Sequence, residues 1–124
     1  MMRSFSPDLD GIQQCQAFLE TFCEDPKPAI ITDEIVSNIV RCSGASGFSV
    51  EFSKDDTGLI TLVFADDGVE FDPTKAPPPD IAAAAEDREI GGLGIFMVKK
   101  MAKSVDYERK DGQNVLTVKL QSIM

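Results

Sequence analysis

One stretch of the chain carries polar side chains at a spacing that brings them together. Glu34, Asn38 and Arg41 stand at i, i+4 and i+7, which places them on one stripe of a helix with 3.6 residues per turn. A carboxylate can act as a general base, and a carboxamide oxygen can bind a hard cation. A solvated helix face with Glu34 and Arg41 loosely paired has the same pattern. The spacing alone therefore leaves a ligand site and a solvated face both open.

A second candidate follows an apolar run, where the sequence reads "FADDGVEFDP". Asp66 comes at the end of a predicted strand and Gly68 follows two residues later, where a residue without a Cβ lets a ligand approach the backbone. A carboxylate in this position suits recognition of an amine donor. An acidic turn is the alternative, since Asp and Gly are the commonest turn residues.

The third candidate is the glycine cluster in "IGGLGIFMVKK", which opens a predicted helix. Glycine inside a helix costs about 1 kcal/mol relative to alanine, so a cluster at this point needs a reason. An anion bound at the helix N-terminus is one reason, because free N–H groups and the helix dipole both favour negative charge. A loop that requires positive φ is the other.

The remaining pattern predicts the elements that must position these residues. Apolar residues at helical spacing indicate helices, and alternating runs on either side of short polar turns indicate two β-hairpins. The predicted helices cover 8–24, 29–42 and the segment from the glycines to about 103, and the predicted strands cover 48–54, 58–65, 104–110 and 113–120. Helices segregated from antiparallel strands predict a two-layer α/β sandwich.

Composition narrows the class of function. A net charge of -9 argues against a nucleic-acid binder, and the chain has no histidine to serve as base, ligand or phospho-acceptor. No apolar run is long enough to span a membrane and no export signal opens the chain, which favours the cytoplasm. The cysteines, Cys15, Cys23 and Cys42, lack metal-site spacing and are expected to pack in the core.

Taken in order, the three candidates resemble the N, G1 and G2 boxes of the GHKL (Bergerat) ATPase superfamily. "DEIVSN" supplies E-x-x-x-N, "DDGVEFDP" supplies D-x-G, and "GGLG" opens a helix. The wording is most similar to the anti-sigma-factor serine kinase branch, including "APPPD", "GGLGI" and the "YERKDGQNVLTVKL" end. The resemblance implies one α+β domain over residues 1–124, with a mixed, mostly antiparallel sheet and three main helices on one face.

The resemblance also implies ligands and roles for the residues of the second helix. Asn38 matches the asparagine that coordinates Mg²⁺ between the phosphates, and Glu34 matches the general base that polarises the attacking hydroxyl or water. Arg41, on the same stripe, is a candidate nucleotide-binding residue. The implied cofactors are ATP or ADP with Mg²⁺.

The G1 and G2 boxes are expected to bind the rest of the nucleotide. Asp66 matches the aspartate that accepts a hydrogen bond from the adenine amino group, and Gly68 lets the base lie against the strand end. Gly92, Leu93 and Gly94 match the G2 box, whose glycines let a lid hinge and bring helix N–H groups to the phosphates. Residues 74–90 are the expected ATP lid.

By resemblance, the chain is expected to be an anti-sigma regulatory factor and serine kinase that controls transcription. It would bind a sigma factor or another regulator and phosphorylate a serine of a small STAS-class antagonist. The alternative is a nucleotide-gated binding module without useful kinase activity. The presence of both Glu34 and Asn38 favours the kinase, because a pure binder does not need the base.

Two departures from the family pattern bear on these expectations. Glu70 stands where the G1 box usually has its second glycine, which weakens the expectation of nucleotide contacts on the lid side. The strand that normally precedes the first helix is predicted to be short or missing. Because that strand can take part in dimerisation in the family, the sequence leaves open whether the chain forms a homodimer.

Overall fold

The computed structural model describes residues 2–22, 25–75 and 92–121, with the side chains of residues 75 and 92–95 left aside. The described elements are one short strand, two helices, a first strand pair, a third helix and a second strand pair, with two short helical turns between them. In chain order they are β1 (Met2–Phe5), α1 (Leu9–Glu20), α2 (Pro26–Asn38), a π-helical turn (Ile39–Ser43), β2 (Phe48–Lys54), β3 (Leu59–Asp66), a 3₁₀ turn (Pro73–Lys75), α3 (Gly92–Met101), β4 (Ser104–Lys110) and β5 (Gln113–Gln121).

The strands form one sheet in the order β1-β2-β3-β5-β4, and every described pairing is antiparallel. Alternate residues of each central strand are buried, as the period of two requires when helices cover one face. The buried strand residues are Phe48, Val50, Phe52, Ile60, Leu62, Phe64, Leu116, Val118 and Leu120. The predicted α+β sandwich and both predicted hairpins are confirmed, although no parallel pair occurs in the described sheet.

A short strand, β1, precedes the first helix, where the sequence predicted a strand that is short or missing. β1 pairs with β2 from Met2 opposite Glu51 to Phe5 opposite Phe48. The Phe5 ring is buried and stacks on Phe48, with 5.4 Å between the ring centroids. This single aromatic anchor ties the chain start to the sheet edge.

α2 begins three residues before the predicted start. Asp25 caps the helix, its carboxylate accepting a hydrogen bond from the Lys27 N–H at 3.0 Å, and Pro26 occupies the first helical position. Proline fits there because its missing N–H has no helical partner in the first turn. The prolines therefore start this helix as well as separating it from α1.

Within the described residues, no helix is long and apolar enough to cross a membrane.

The end of α2 differs from the sequence prediction in geometry. From Ile39 to Ser43 the chain forms a π-helical turn, which ends at Gly44 with φ of 66°. A π-helical turn contains more residues than an α-helical turn, so Ser43 rather than Cys42 follows Ile39 on the buried side. Cys42 is exposed, and its predicted core role was wrong. Cys15 is buried as predicted, and Cys23 lies outside the described residues.

Thiol labelling of the native protein is expected to separate Cys42 from Cys15. Burial raises the pKa of the Cys15 thiol from 9.0 to about 12, which lowers its reactive thiolate fraction about a thousandfold at neutral pH. Iodoacetamide followed by peptide mass spectrometry should modify Cys42 under native conditions and Cys15 only after unfolding. Protection of Cys42 in the native protein would contradict the π-helical turn, and rapid labelling of Cys15 would contradict its burial. The Cys42→Ser variant identifies the labelled peptide.

Candidate functional site

The sheet presents a polar row at the end nearest the loop that follows β3. Asp66 pairs with Asn114 on β5, and Asn114 pairs with Arg109 on β4, so the three residues are neighbours across the sheet. The next row inward is Phe64, Leu116 and Tyr107. The side chains of both rows point to the same face of the sheet as the core side chains. The helix-facing side of the sheet thus changes from apolar to polar at this end.

A cavity lies between these rows and the C-terminal part of α2. Asn38 and Asp66, predicted from separate motifs, both line it. Its polar lining also includes Ser43, Tyr107 and Asn114, and its apolar lining consists of Ile35, Ile39, Phe64, Phe71, Pro73 and Leu116. An apolar cleft with a few convergent polar groups is the usual form of a small-molecule site.

The Asp66 carboxylate is buried, with 5% of the residue exposed. Its Oδ1 atom accepts hydrogen bonds from the Gly68 N–H at 2.9 Å and from the Asn114 side-chain amide at 3.1 Å. No described residue donates to Oδ2. One oxygen is therefore committed to holding the loop, and the other remains an acceptor for a ligand.

Asn114 is a site residue that the sequence reasoning missed. Its Nδ2 donates to Asp66 Oδ1 and to the Val69 carbonyl at 2.7 Å, and its Oδ1 accepts from the Phe71 N–H at 3.1 Å and from the Tyr107 hydroxyl at 2.6 Å. A carboxamide has two donor hydrogens and two acceptor lone pairs, so all four are used. Asn114 fixes the loop and the orientation of Asp66, and has no capacity left for a ligand.

Two neighbours on β4 complete this end of the cavity. Arg109 donates from Nη1 to the Gly68 carbonyl at 2.8 Å. The phenol of Tyr107 lines the cavity, and its pKa is raised, first by burial and then by the negative charge of Glu70. Tyr107 is therefore a neutral donor at physiological pH. The loop after Asp66 is thus held through backbone atoms of Gly68, Val69 and Phe71.

At the other end of the cavity, Asn38 and Arg41 are brought together. Arg41 donates from Nη2 to Asn38 Oδ1 at 2.9 Å and from Nε to the Ser37 carbonyl at 3.3 Å. Glu34 is half-buried one turn earlier, and in the described part of the chain no hydrogen bond or ion pair involves it. The loose Glu34–Arg41 pair considered from the sequence is not formed. Arg41 instead covers the carboxamide expected to bind Mg²⁺.

The structure explains the glycine at position 68 differently from the sequence, which suggested that Gly68 leaves space for a ligand. A Cβ atom at this position would lie 2.4 Å from the Ser43 carbonyl oxygen, 2.5 Å from Ser43 Cβ and 2.6 Å from its Oγ. Those distances are too short for any side chain. The space is thus filled by the π-helical turn, and Gly68 allows close packing of two protein segments rather than leaving room for a base on that side.

Charged residues near the site contact neighbouring segments of the chain. Asp67 points away from the cavity side and accepts hydrogen bonds from the Ser46 hydroxyl and N–H, which lower its pKa. Lys99 donates to the Thr74 carbonyl at 2.6 Å and so joins α3 to the 3₁₀ turn. Phe96 is half-buried, and the Lys100 ammonium lies 5.3 Å from its ring centroid.

The structure describes the backbone of the G2 residues but not their side chains. Gly92, Leu93 and Gly94 form the first turn of α3, as predicted, but their side-chain surroundings and most of the expected lid, from residue 76 onward, lie outside the described residues. Across the described ranges, no group of three acidic, cysteine or histidine side chains could hold a metal.

Comparison with known proteins gives a consistent result. The model of the family described as "Histidine kinase-like ATPase domain" matches residues 26–120, from α2 to β5. The serine/threonine-protein kinase BtrW of Bordetella bronchiseptica is 29% identical over 92 residues, covering 72% of this chain and 65% of BtrW. The serine-protein kinase RsbW of Bacillus cereus is 29% identical over 124 residues, covering 88% of this chain and 71% of RsbW. This chain thus spans about two thirds of the length of these relatives.

A solved histidine kinase domain from the Erythrobacter litoralis EL346 blue-light activated histidine kinase is also similar. It is 10% identical, with a TM-score of 0.49, and the match covers 77% of this chain and 43% of that chain.

Proposed function

The chain belongs to the histidine kinase-like ATPase domain family, and we propose that it is a Mg²⁺-dependent, ATP-using serine kinase of the anti-sigma type. In this proposal it binds a sigma factor or another regulator and phosphorylates a serine of a STAS-domain antagonist in the cytoplasm. Two relatives, one named a serine/threonine-protein kinase and the other a serine-protein kinase, support the reaction class. The sequence resemblance supports the partners, and it also leaves a homodimer open.

The observation that carries the proposal is the shared cavity of Asn38 and Asp66. Adenine would insert against the polar row, where Asp66 Oδ2 is available to accept a hydrogen bond from its amino group. Guanine has a carbonyl oxygen in the position of the adenine amino group. That oxygen and the Asp66 carboxylate are both acceptors, so they could not form a hydrogen bond with each other. The apolar lining would contact the faces of the base. This arrangement supports ATP and ADP as ligands in preference to guanine nucleotides.

The residues present fit a Mg²⁺ ion that arrives with the nucleotide. Mg²⁺ prefers oxygen ligands and is usually held by one or two protein groups together with phosphates and water, which matches a single carboxamide, Asn38. Because Asn38 Oδ1 accepts from Arg41 in the described state, Arg41 would have to leave it, and nucleotide phosphates offer a stronger acceptor. When bound, Mg²⁺ would neutralise phosphate charge.

Glu34 is proposed as the general base for transfer to the serine. The serine oxygen forms a bond to the γ-phosphorus, the bond from that phosphorus to the ADP oxygen breaks, and Glu34 accepts the hydroxyl proton. The half-buried carboxylate lies on the same helix as Asn38, one turn away. Since none of the described residues occupies its oxygens by a hydrogen bond, they are available for this role.

Phosphate transfer provides the direct test. The purified chain would be incubated with Mg²⁺, γ-labelled ATP and a STAS-domain protein encoded near its gene, and phosphoserine would be located by mass spectrometry. We expect label on one serine of the STAS protein with ATP and none with GTP. ATP binding without transfer to any candidate would instead support the nucleotide-gated binding module. Absence of ATP binding would contradict both.

A further inference from the structure

Ser43 connects the two ends of the cavity. It is 5% exposed and ends the π-helical turn that starts directly after Asn38. Its hydroxyl donates to the Ile39 carbonyl at 2.8 Å and accepts from the Ala45 N–H at 3.2 Å. These bonds hold both sides of the turn, so Ser43 has a fixed position relative to the C-terminal end of α2.

The same residue is fixed to the loop that follows Asp66. The Ser43 carbonyl accepts a hydrogen bond from the Val69 N–H at 2.9 Å, and its atoms fill the space where a Gly68 side chain would be. Gly68 in turn donates to Asp66 Oδ1. A short chain of contacts therefore runs from the helix that carries Asn38, through Ser43, to the buried carboxylate.

We propose that Ser43 is a positioning residue that sets the separation between Asn38 and Asp66. This inference rests on the proposed function, in which Asn38 serves the metal and phosphate end and Asp66 reads the base. A ligand that contacts both ends senses this separation, whereas a ligand that contacts only one end does not. Loss of the Ser43 hydroxyl should therefore weaken the two kinds of ligand unequally.

Calorimetric binding of Mg²⁺-ATP and of adenosine to wild type and Ser43→Ala tests the proposal. Adenosine has the base but no phosphates, so it reports the Asp66 end alone. Removing the hydroxyl deletes two hydrogen bonds at a buried position, and we expect the Kd for Mg²⁺-ATP to rise about tenfold. The Kd for adenosine should change less than about twofold, within the effect of a single weak contact.

Ser37→Ala is the matched control, because Ser37 lies on α2 just before the π-helical turn and its hydroxyl makes no hydrogen bond in the part of the chain described. Both Kd values should be unchanged in it. Hydrogen exchange at the Val69 amide gives a second measurement, since loosening of Ser43 should speed exchange there. If Ser43→Ala does not fold, Ser43→Cys keeps a similar volume while weakening the hydrogen bonds.

The outcomes separate the two proposals. If wild type binds both ligands and Ser43→Ala weakens them by the same factor, or weakens neither, Ser43 is not a positioning residue and the proposed function stands. If wild type binds neither adenosine nor Mg²⁺-ATP, the proposed function fails and the role of Ser43 falls with it. A selective loss for Mg²⁺-ATP, with Ser37→Ala unchanged, supports both.

Discussion

Glu34→Gln is expected to bind Mg²⁺-ATP as wild type does and to lose phosphate transfer by about 10²- to 10⁴-fold, the usual contribution of a general base. Glutamine has nearly the shape of glutamate but cannot accept a proton. Because no described residue makes a hydrogen bond or ion pair with the Glu34 side chain, we expect the variant to fold as wild type does. Calorimetry measures the binding, and a rate assay with labelled ATP measures the transfer.

Two further variants show whether the loss of transfer is specific to Glu34. Asp33→Asn removes an exposed carboxylate from the neighbouring position of α2 and should leave the transfer rate unchanged. Asn38→Ala should instead lose Mg²⁺-dependent nucleotide affinity, because it removes the carboxamide proposed as a metal ligand. A Glu34→Gln variant with the wild-type transfer rate would show that Glu34 has no role as a base.

Local sequence pattern was sufficient for strands β2 to β5 and for two of the residues that line the cavity, Asn38 and Asp66. Alternation in β2 to β5 and the Asp-Gly turn at 111–112 are properties of short segments, and the structure agrees with those strands to within one residue. Asp66 could be singled out because it ends an alternating strand and is followed by glycine. Asn38 could be singled out from its spacing to Glu34.

Asn114 and Arg109 were missed because each one, taken alone, is an ordinary polar residue at the end of a strand. In β3, β5 and β4 the inward-facing residues run apolar and then end in Asp66, Asn114 and Arg109. A single polar residue beside a turn is usual and predicts nothing. Only the strand order and register bring the three together, and those follow from long-range pairing rather than from any local pattern.

The π-helical turn was beyond prediction from periodicity. A helical wheel assumes 100° per residue, and under that assumption Cys42 continues the apolar side of α2. The widened turn places Ser43 there instead, where its carbonyl meets the Val69 N–H and its surface meets Gly68. This geometry depends on a contact between segments 25 residues apart in sequence, so no local pattern contains it.

Asp66→Asn is expected to reverse the polarity of the base-reading atom. In wild type, Oδ1 is held by two donors, the Gly68 N–H and the Asn114 amide, and Oδ2 is the remaining acceptor. In the variant the same two donors would hold the new carboxamide oxygen, because an NH₂ group cannot accept from them. The NH₂ group would then take the place of Oδ2. It would face the adenine amino group, and because both groups are donors, the hydrogen bond to the base would be lost.

The consequence is a change in nucleotide preference and not only a loss of affinity. Wild type should favour ATP over GTP by about 100-fold, since guanine would leave Oδ2 of the buried Asp66 carboxylate without a donor and place a carbonyl oxygen against it. Asp66→Asn should weaken ATP and reduce that preference at least about tenfold, whereas Asp67→Asn, which alters the neighbouring outward carboxylate, should keep it. Competition of each triphosphate against ADP in calorimetry measures the ratio. Inosine triphosphate, with a carbonyl in place of the amine, supplies the same test on wild type alone. Equal affinity of wild type for ATP, GTP and inosine triphosphate would remove Asp66 as the residue that reads the base.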